Sequence, residues 1–232
     1  MTPKIIHLCW FSHDPYPIEI QACLRSWRRL LPDYTIRLWD YESALSIGSP
    51  FIAEALRRHR WSYAADAVRF YAVWKEGGVY MDSDIFLRRR FDAIIPDDGC
   101  ATFNEFFPDH DGRAALQVAF FVGSKGNAFC KRVFDYYNSS DYKEVISPYI
   151  MATIAEKYFG YRNEDIEQHL DGLTVYPSRL LTPSKRFEVS PDSFGVHWIY
   201  GSWRHRKFGR RMELAAKHAL FWIKFRLLGM YK

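Results

Sequence analysis

Hydrophobic and polar positions along the chain switch between two periods, and the switching predicts an α/β protein. Residues 4–11, KIIHLCWF, form a nearly unbroken apolar run, as expected of a buried strand. Residues 12–17 hold two prolines and predict a stiff loop. Residues 18–31 read as a helix closed by Pro32-Asp33, and residues 35–39, TIRLW, as a second strand. Strand, helix and strand at this spacing require a parallel crossover. Further helices are predicted over 51–60, 62–75, 127–137 and 147–158, and strands over 79–87, 100–103, 116–123 and 174–176. Gly77-Gly78 ends the helix over 62–75, where a glycine takes the left-handed conformation without a Cβ clash. No G-x-G-x-x-G follows the first strand, so a dinucleotide-binding fold is not supported.

The strand over 79–87 carries Asp82-Ser83-Asp84 at its centre, against β-propensity. Residues two apart on a strand share a face, so two carboxylates would project side by side. That repulsion calls for a cation between them, and hard oxygen ligands suit Mg²⁺ or Mn²⁺. A hydrated strand end is the plain alternative. Asp66 and Arg69 lie three apart and share a helix face, which on its own means no more than a surface ion pair. Trp10 ends the first strand, where it either stacks on a nucleotide base or packs in the core. Arg88, Arg89 and Arg90 form a basic turn, solvated or attracting phosphate.

Asp66-x-x-Arg69 followed by Gly77-Gly78-x-Tyr80-x-Asp82-x-Asp84 is a compound pattern. It resembles the sugar-binding DXD region of the family-32 glycosyltransferases. The opening Lys-Ile-Ile-His-x-x-Trp, Ser26-Trp27 and Pro32-Asp33-Tyr34 are similar to the same family. Near the C-terminal end, His197 followed by Ser202-Trp203 resembles its His…Ser-Trp element.

The resemblance implies a GT-A-type fold, with a Rossmann-like mixed, mainly parallel sheet flanked by helices over residues 1–205. It implies a metal, Mn²⁺ or Mg²⁺, on Asp84, His197 and Asp82, with Asp82 reaching the ribose, the metal or both. Asp66 and Arg69 would bind sugar hydroxyls. Trp10, Tyr80, Ser202 and Trp203 would hold the nucleotide, Trp203 through its indole N–H. Asn104, Glu105 and Gln117 are candidates for the reacting face, with strand-end or core roles equally open. Gln117 departs from the family's commoner Asn nearby. The implied reaction moves a hexose from a nucleotide sugar to a glycan acceptor with retained anomeric configuration. UDP-galactose or UDP-glucose is the preferred donor, with GDP-mannose behind. The acceptor would be lipid-linked, in cell-surface polysaccharide synthesis. A metal-dependent phosphoester or nucleotide-sugar hydrolase, or a nucleotide- or glycan-binding module, would use the same carboxylates.

Charge refines this picture. The net charge is +5, but Arg204 to Lys232 hold nine Lys or Arg and one Glu, leaving the rest of the chain at −3. The acidic body argues against nucleic-acid binding. Residues 206–232 predict a basic amphipathic helix, either lying on an anionic membrane surface or packed on the domain. The four cysteines show no C-x-x-C spacing and read as buried thiols of a reducing compartment. With no signal-peptide pattern at the start, the expected place is the cytoplasm, at the inner face of the plasma membrane.

Overall fold

A computed structural model describes residues 2–105, 113–139, 142–181 and 189–197, together with Ala219 and Ile223. Nine strands and six helices are assigned among the described residues. The strands are β1 (Ile5–Cys9), β2 (Thr35–Trp39), β3 (Gly78–Met81), β4 (Ile85–Leu87), β5 (Cys100–Phe103), β6 (Phe120–Gly123), β7 (Gln168–Leu170), β8 (Leu173–Tyr176) and β9 (Gly195–His197). The helices are α1 (Ile18–Leu30), α2 (Tyr41–Leu45), α3 (Pro50–Arg57), α4 (Trp61–Glu76), α5 (Ala128–Ser139) and α6 (Ser147–Phe159).

Seven strands form one sheet in the order β2-β1-β3-β6-β5-β8-β7. β2, β1, β3, β5 and β8 run one way, and β6 and β7 run against them. The sheet is therefore mixed and mainly parallel, as the resemblance implied. Its faces bury separate cores because side chains alternate along each strand. Tyr80 and Phe121 point to the face covered by α3, α4, α5 and α6. Val79, Met81, Phe120 and Val122 point to the face covered by α1 and a second, two-stranded sheet of β4 and β9.

The expected single strand over 79–87 is two strands in two sheets. β3 ends at Met81, the chain turns through Asp82-Ser83-Asp84, and β4 begins at Ile85. The turn is closed by the Ile85 N–H donating to the Asp82 carbonyl at 3.0 Å. Apolar residues on both sides of the aspartates read as one run, but the two carboxylates sit where the chain leaves the ladder. The strand expected over 116–123 is likewise only β6. Leu116 keeps an isolated bridge to Asn104, and residues 117–119 leave the ladder between them. A hairpin of β7 and β8 was not anticipated, although the Asp171-Gly172 step between them is a strong hairpin signal.

Two glycines work as expected, with one difference. Gly77 caps α4 at φ 72, but its ψ of 178 is extended rather than left-handed helical. At Gly78, φ is 108, and a Cβ would lie 2.6 Å from the Ile5 carbonyl oxygen. A side chain there would push β3 away from β1.

The family-like Ser26-Trp27 pair fixes the small sheet. Trp27 is fully buried, and its Nε1–H donates to the Ile85 carbonyl at 2.7 Å. The Leu87 N–H donates to Ser26 Oγ at 3.0 Å. Pro32-Asp33-Tyr34 anchors the exit of β4. Arg90 grips Asp33 at 2.8 Å and Asp92 at 2.6 Å, and Tyr34 packs edge-on against Phe91. Arg88 donates to the Ser190 carbonyl, and Arg89 lies over Phe194. All three arginines of the basic turn thus have protein partners. Replacing Trp27 with Phe leaves the Ile85 carbonyl buried and unpaired. The expected loss is about 1–3 kcal/mol of stability in urea unfolding. An unchanged midpoint would show that this clamp carries no stability.

Candidate metal and sugar site

The carboxyl ends of β1, β3 and β5 share one edge of the large sheet, and the candidate residues gather there. β9 pairs antiparallel with β4, with His197 opposite Ile85. That pairing sets a histidine from the far end of the chain beside Asp84. Asp82, Asp84 and His197 each offer a ligand atom, all within 4.8 Å of one another. His197 Nε2 stands 3.4 Å from Asp84 Oδ1, and both side chains are mostly buried. The His197 Nδ1 is buried without a hydrogen-bond partner among the described residues. Two carboxylates and an imidazole form a donor set that fits Mn²⁺ or Mg²⁺.

Asp82 is held on three sides. Tyr80 O–H donates to its Oδ1 at 2.6 Å, Arg69 approaches the same oxygen at 3.5 Å, and its own N–H donates to the Ala119 carbonyl at 2.8 Å. The Asp66–Arg69 pair is buried, not a surface pair: the two side chains are 12% and 5% exposed, and they meet at 3.0 Å. Arg69 also donates to the carbonyls of Ala65 and Val118 and lies over the Tyr80 ring. Burial lifts the Asp66 carboxyl to about 7, with Arg69 pulling the other way. Tyr80 itself is buried and acts on Asp82.

Glu105 follows β5 and joins this cluster. Burial raises its carboxyl to about 7, with His197 opposing and Asp82 reinforcing the shift. Its Oε2 has no hydrogen-bond partner among the described residues. Asn104 is differently placed. Its amide donates to the carbonyls of Glu164 and Tyr176, and its oxygen accepts from Tyr161 O–H at 2.6 Å. Gln117 is fully buried, and its Oε1 accepts the Ala119 N–H at 2.9 Å. These bonds shape the 117–119 bend that presents carbonyls to Arg69 and Asp82. Trp10 is half-buried, donates its indole N–H to the Asp14 carbonyl at 3.0 Å and packs edge-on against Tyr16. Ser202 and Trp203 lie outside the described residues, as does most of 206–232.

One supporting residue, Ser147, escaped sequence reasoning, and a second, His7, entered it only as part of the family-like opening. Ser147 opens α6, accepts from Tyr137 O–H at 2.8 Å and helps to hold the Asp66 carboxyl down against the effect of burial. His7 is fully buried between Gly77 and Trp39. Its Nε2–H donates to the Gly77 carbonyl at 2.9 Å, and its Nδ1 accepts from Trp39. Burial lowers His7 to about 4, so it is neutral and structural. A histidine inside an apolar strand was the signal for it. Cys23, Cys100 and Cys130 are buried free thiols, and Cys9 is partly buried.

Residues 17–101 match the family model described as "Glycosyltransferase sugar-binding region containing DXD motif". The chain is 30% identical over 97 residues to inositol phosphoceramide mannosyltransferase 3 of Schizosaccharomyces pombe, covering 40% of this chain and 27% of that protein. It is 29% identical over 102 residues to mannosyl phosphorylinositol ceramide synthase CSH1 of Saccharomyces cerevisiae, covering 41% and 26%. The match thus spans about a quarter of the length of these relatives. Among solved structures, the PaToxG glycosyltransferase superposes with a TM-score of 0.53 at 16% identity, over 67% of this chain and 69% of that one. The fold is the GT-A one. No helix among the described residues is long and apolar enough to cross a membrane.

The charges at the site set a pH dependence. Burial pulls the His197 imidazole down, but Asp84, Asp82 and Glu105 outweigh it and raise it to about 9. A metal needs the neutral ring, so below that value binding must expel a proton. Mn²⁺ affinity should therefore climb from pH 7 to about 9 and then level off, with proton release seen by calorimetry in buffers of different ionisation enthalpy. His197→Ala should remove most of this slope. In metal-free protein, His197 contributes stability that is complete below 6.5 and lost as pH rises through about 9. Asp66 and Glu105 act at lower pH, costing stability as pH rises from about 4 to 7. A flat pH profile of both affinity and stability would contradict these assignments.

Proposed function

We propose that this chain, whose residues 17–101 belong to the glycosyltransferase sugar-binding region containing the DXD motif, is a metal-dependent glycosyltransferase. It transfers a hexose from a nucleotide sugar to a glycan acceptor. The observation that carries this reading is the meeting of Asp82, Asp84 and His197 beside a buried Asp66–Arg69 pair. The mixed ligand set favours Mn²⁺, with Mg²⁺ behind. When bound, the ion neutralises charge that develops on the leaving diphosphate.

The protein's own groups supply binding and orientation. Asp66 and Arg69 recognise sugar hydroxyls, and Arg69 with Tyr80 O–H keeps Asp82 turned to the ligand cluster. Trp10, just past the end of β1, offers a ring to the nucleotide base. Ser202 and Trp203 are assigned to the diphosphate. Among the described residues at this edge, buried Glu105 has a carboxyl oxygen without a hydrogen-bond partner, and the reading needs no separate base. The leaving phosphate takes the acceptor proton on the face where the new bond forms, so the anomeric configuration is retained.

UDP-glucose or UDP-galactose is the preferred donor. The names of the two fungal relatives keep GDP-mannose in the test. The acceptor is a lipid-diphosphate-linked glycan of cell-surface polysaccharide, met at the cytoplasmic face of a membrane. The net +8 of Arg204 to Lys232 supports contact with anionic headgroups there.

Turnover of the three donors with Mn²⁺ and a glycan acceptor tests the reaction. One donor should give transfer with retained configuration, read from the product's anomeric coupling. EDTA should stop it, and Asp84→Asn should slow it roughly 100-fold or more, the scale of several kcal/mol of charge stabilisation. Full activity in EDTA, or an inverted product, would overturn the reading. Salt-sensitive binding to phosphatidylserine vesicles should also vanish when residues after Gly209 are deleted, with transfer to a soluble acceptor retained. Equal binding by both proteins would remove the membrane role from the tail.

A further inference from the structure

Glu105 is a buried carboxyl at the active edge that no described protein group fully satisfies. It is 6% exposed, and its Oε2 lacks a hydrogen-bond partner among the described residues. A buried acceptor left unpaired is costly, so a donor from outside the described protein groups is the natural partner. Its main chain is fixed: the Glu105 N–H donates to the Ala115 carbonyl at 3.0 Å, and neighbouring Asn104 is locked by Tyr161. The side chain therefore starts from a rigid base.

The strand order says which part of a donor it meets. Trp10 follows β1, Asp82 follows β3, and Glu105 follows β5. β1 and β3 are neighbours, and β6 separates β3 from β5. At about 4.8 Å per strand, Glu105 lies on the order of 10 Å beyond Asp82, on the side away from Trp10. A nucleotide sugar is a linear molecule with its diphosphate in the middle. With the diphosphate at the Asp82–Asp84–His197 cluster and the base toward Trp10, the remaining end is the hexose. That end falls between the cluster and Glu105, within the field that Glu105 and His197 exert on each other.

We infer that Glu105 Oε2 accepts a hydrogen bond from one hydroxyl of the transferred hexose and thereby selects which hexose is used. The inference rests on the glycosyltransferase reading. Glu105 is then a sugar-specificity residue, separate from the groups that hold the metal and nucleotide.

The test separates the sugar from the nucleotide. Mn²⁺-dependent binding of UDP and GDP is measured beside transfer from UDP-glucose, UDP-galactose and GDP-mannose. In Glu105→Ala, affinity for the matching nucleoside diphosphate should stay within about 2-fold, while kcat/KM for the preferred donor falls about 10- to 100-fold, the range of one charge-assisted hydrogen bond. Should Glu105→Ala fail to fold, the similarly sized Glu105→Met, which keeps the stem but has no carboxyl acceptor, is held to the same split. Deoxygenated donors give a second arm. Removing one particular hydroxyl should cost the parent protein activity and cost the Glu105 variant almost nothing more. Equal losses for nucleotide and nucleotide sugar, no loss for either, or additive losses with every deoxy donor would each overturn the inference. Absence of nucleotide binding by the unsubstituted protein would overturn the glycosyltransferase reading itself, and the inference with it.

Discussion

A guanidinium that never loses its charge lies beneath the carboxyl edge of the sheet, and the site is arranged around satisfying it. Arg69 is 5% exposed, and isolating such a charge would cost several kcal/mol. It is met by Asp66 one turn back on α4, by Asp82 beyond β3, and by the carbonyls of Ala65 and Val118. Asp66 and Ala65 lie on the same helix as Arg69, whereas Asp82 and Val118 tie that helix to the turn after β3 and to residues 117–119. The helix cannot slide, the turn after β3 cannot swing, and residues 117–119 cannot rejoin the ladder without losing one of these bonds. The position of Asp82 follows from an electrostatic demand inside the fold.

Much of this was legible in the sequence. The compound of Asp66, Arg69, the paired glycines, Tyr80, Asp82 and Asp84 pointed to one place, and the structure brings the five side chains together there, with the glycines at the opposite end of β3. The main α/β pattern was equally readable, because 4–11 and 35–39 are apolar or β-rich runs around an amphipathic helix. What failed was local. Apolar residues on both sides of the aspartates hid the break between β3 and β4, since periodicity does not register a change of sheet. The break at 117–119 was hidden in the same way. β9 is only Gly195-Val196-His197, too short for a pattern, and its partner is remote in sequence. The hairpin at Asp171-Gly172 was written in the chain but sits between short strands, one of them polar.

Residues singled out by family likeness divide into two kinds once their neighbours are visible. Ser26-Trp27 and Pro32-Asp33-Tyr34 hold α1 against the small sheet and pin Arg90. His7 ties the end of α4 to β1 and β2. Their packing roles keep the edge in place. Asp82, Asp84, His197 and Glu105 present ligating or accepting atoms at that edge. Sequence likeness alone could not separate the two kinds, because both are polar or aromatic and both are spaced by the same fold.

The pairing of β4 with β9 also bears on how the protein is made. Asp84 leaves the ribosome more than a hundred residues before His197. At 5–20 residues per second, that gap lasts on the order of 10 s. During this interval the nascent chain holds two close carboxylates without the imidazole that faces them. It also holds the β4 edge without its partner strand. Assembly of the three candidate ligands is therefore a late event of synthesis, and it coincides with closing the small sheet.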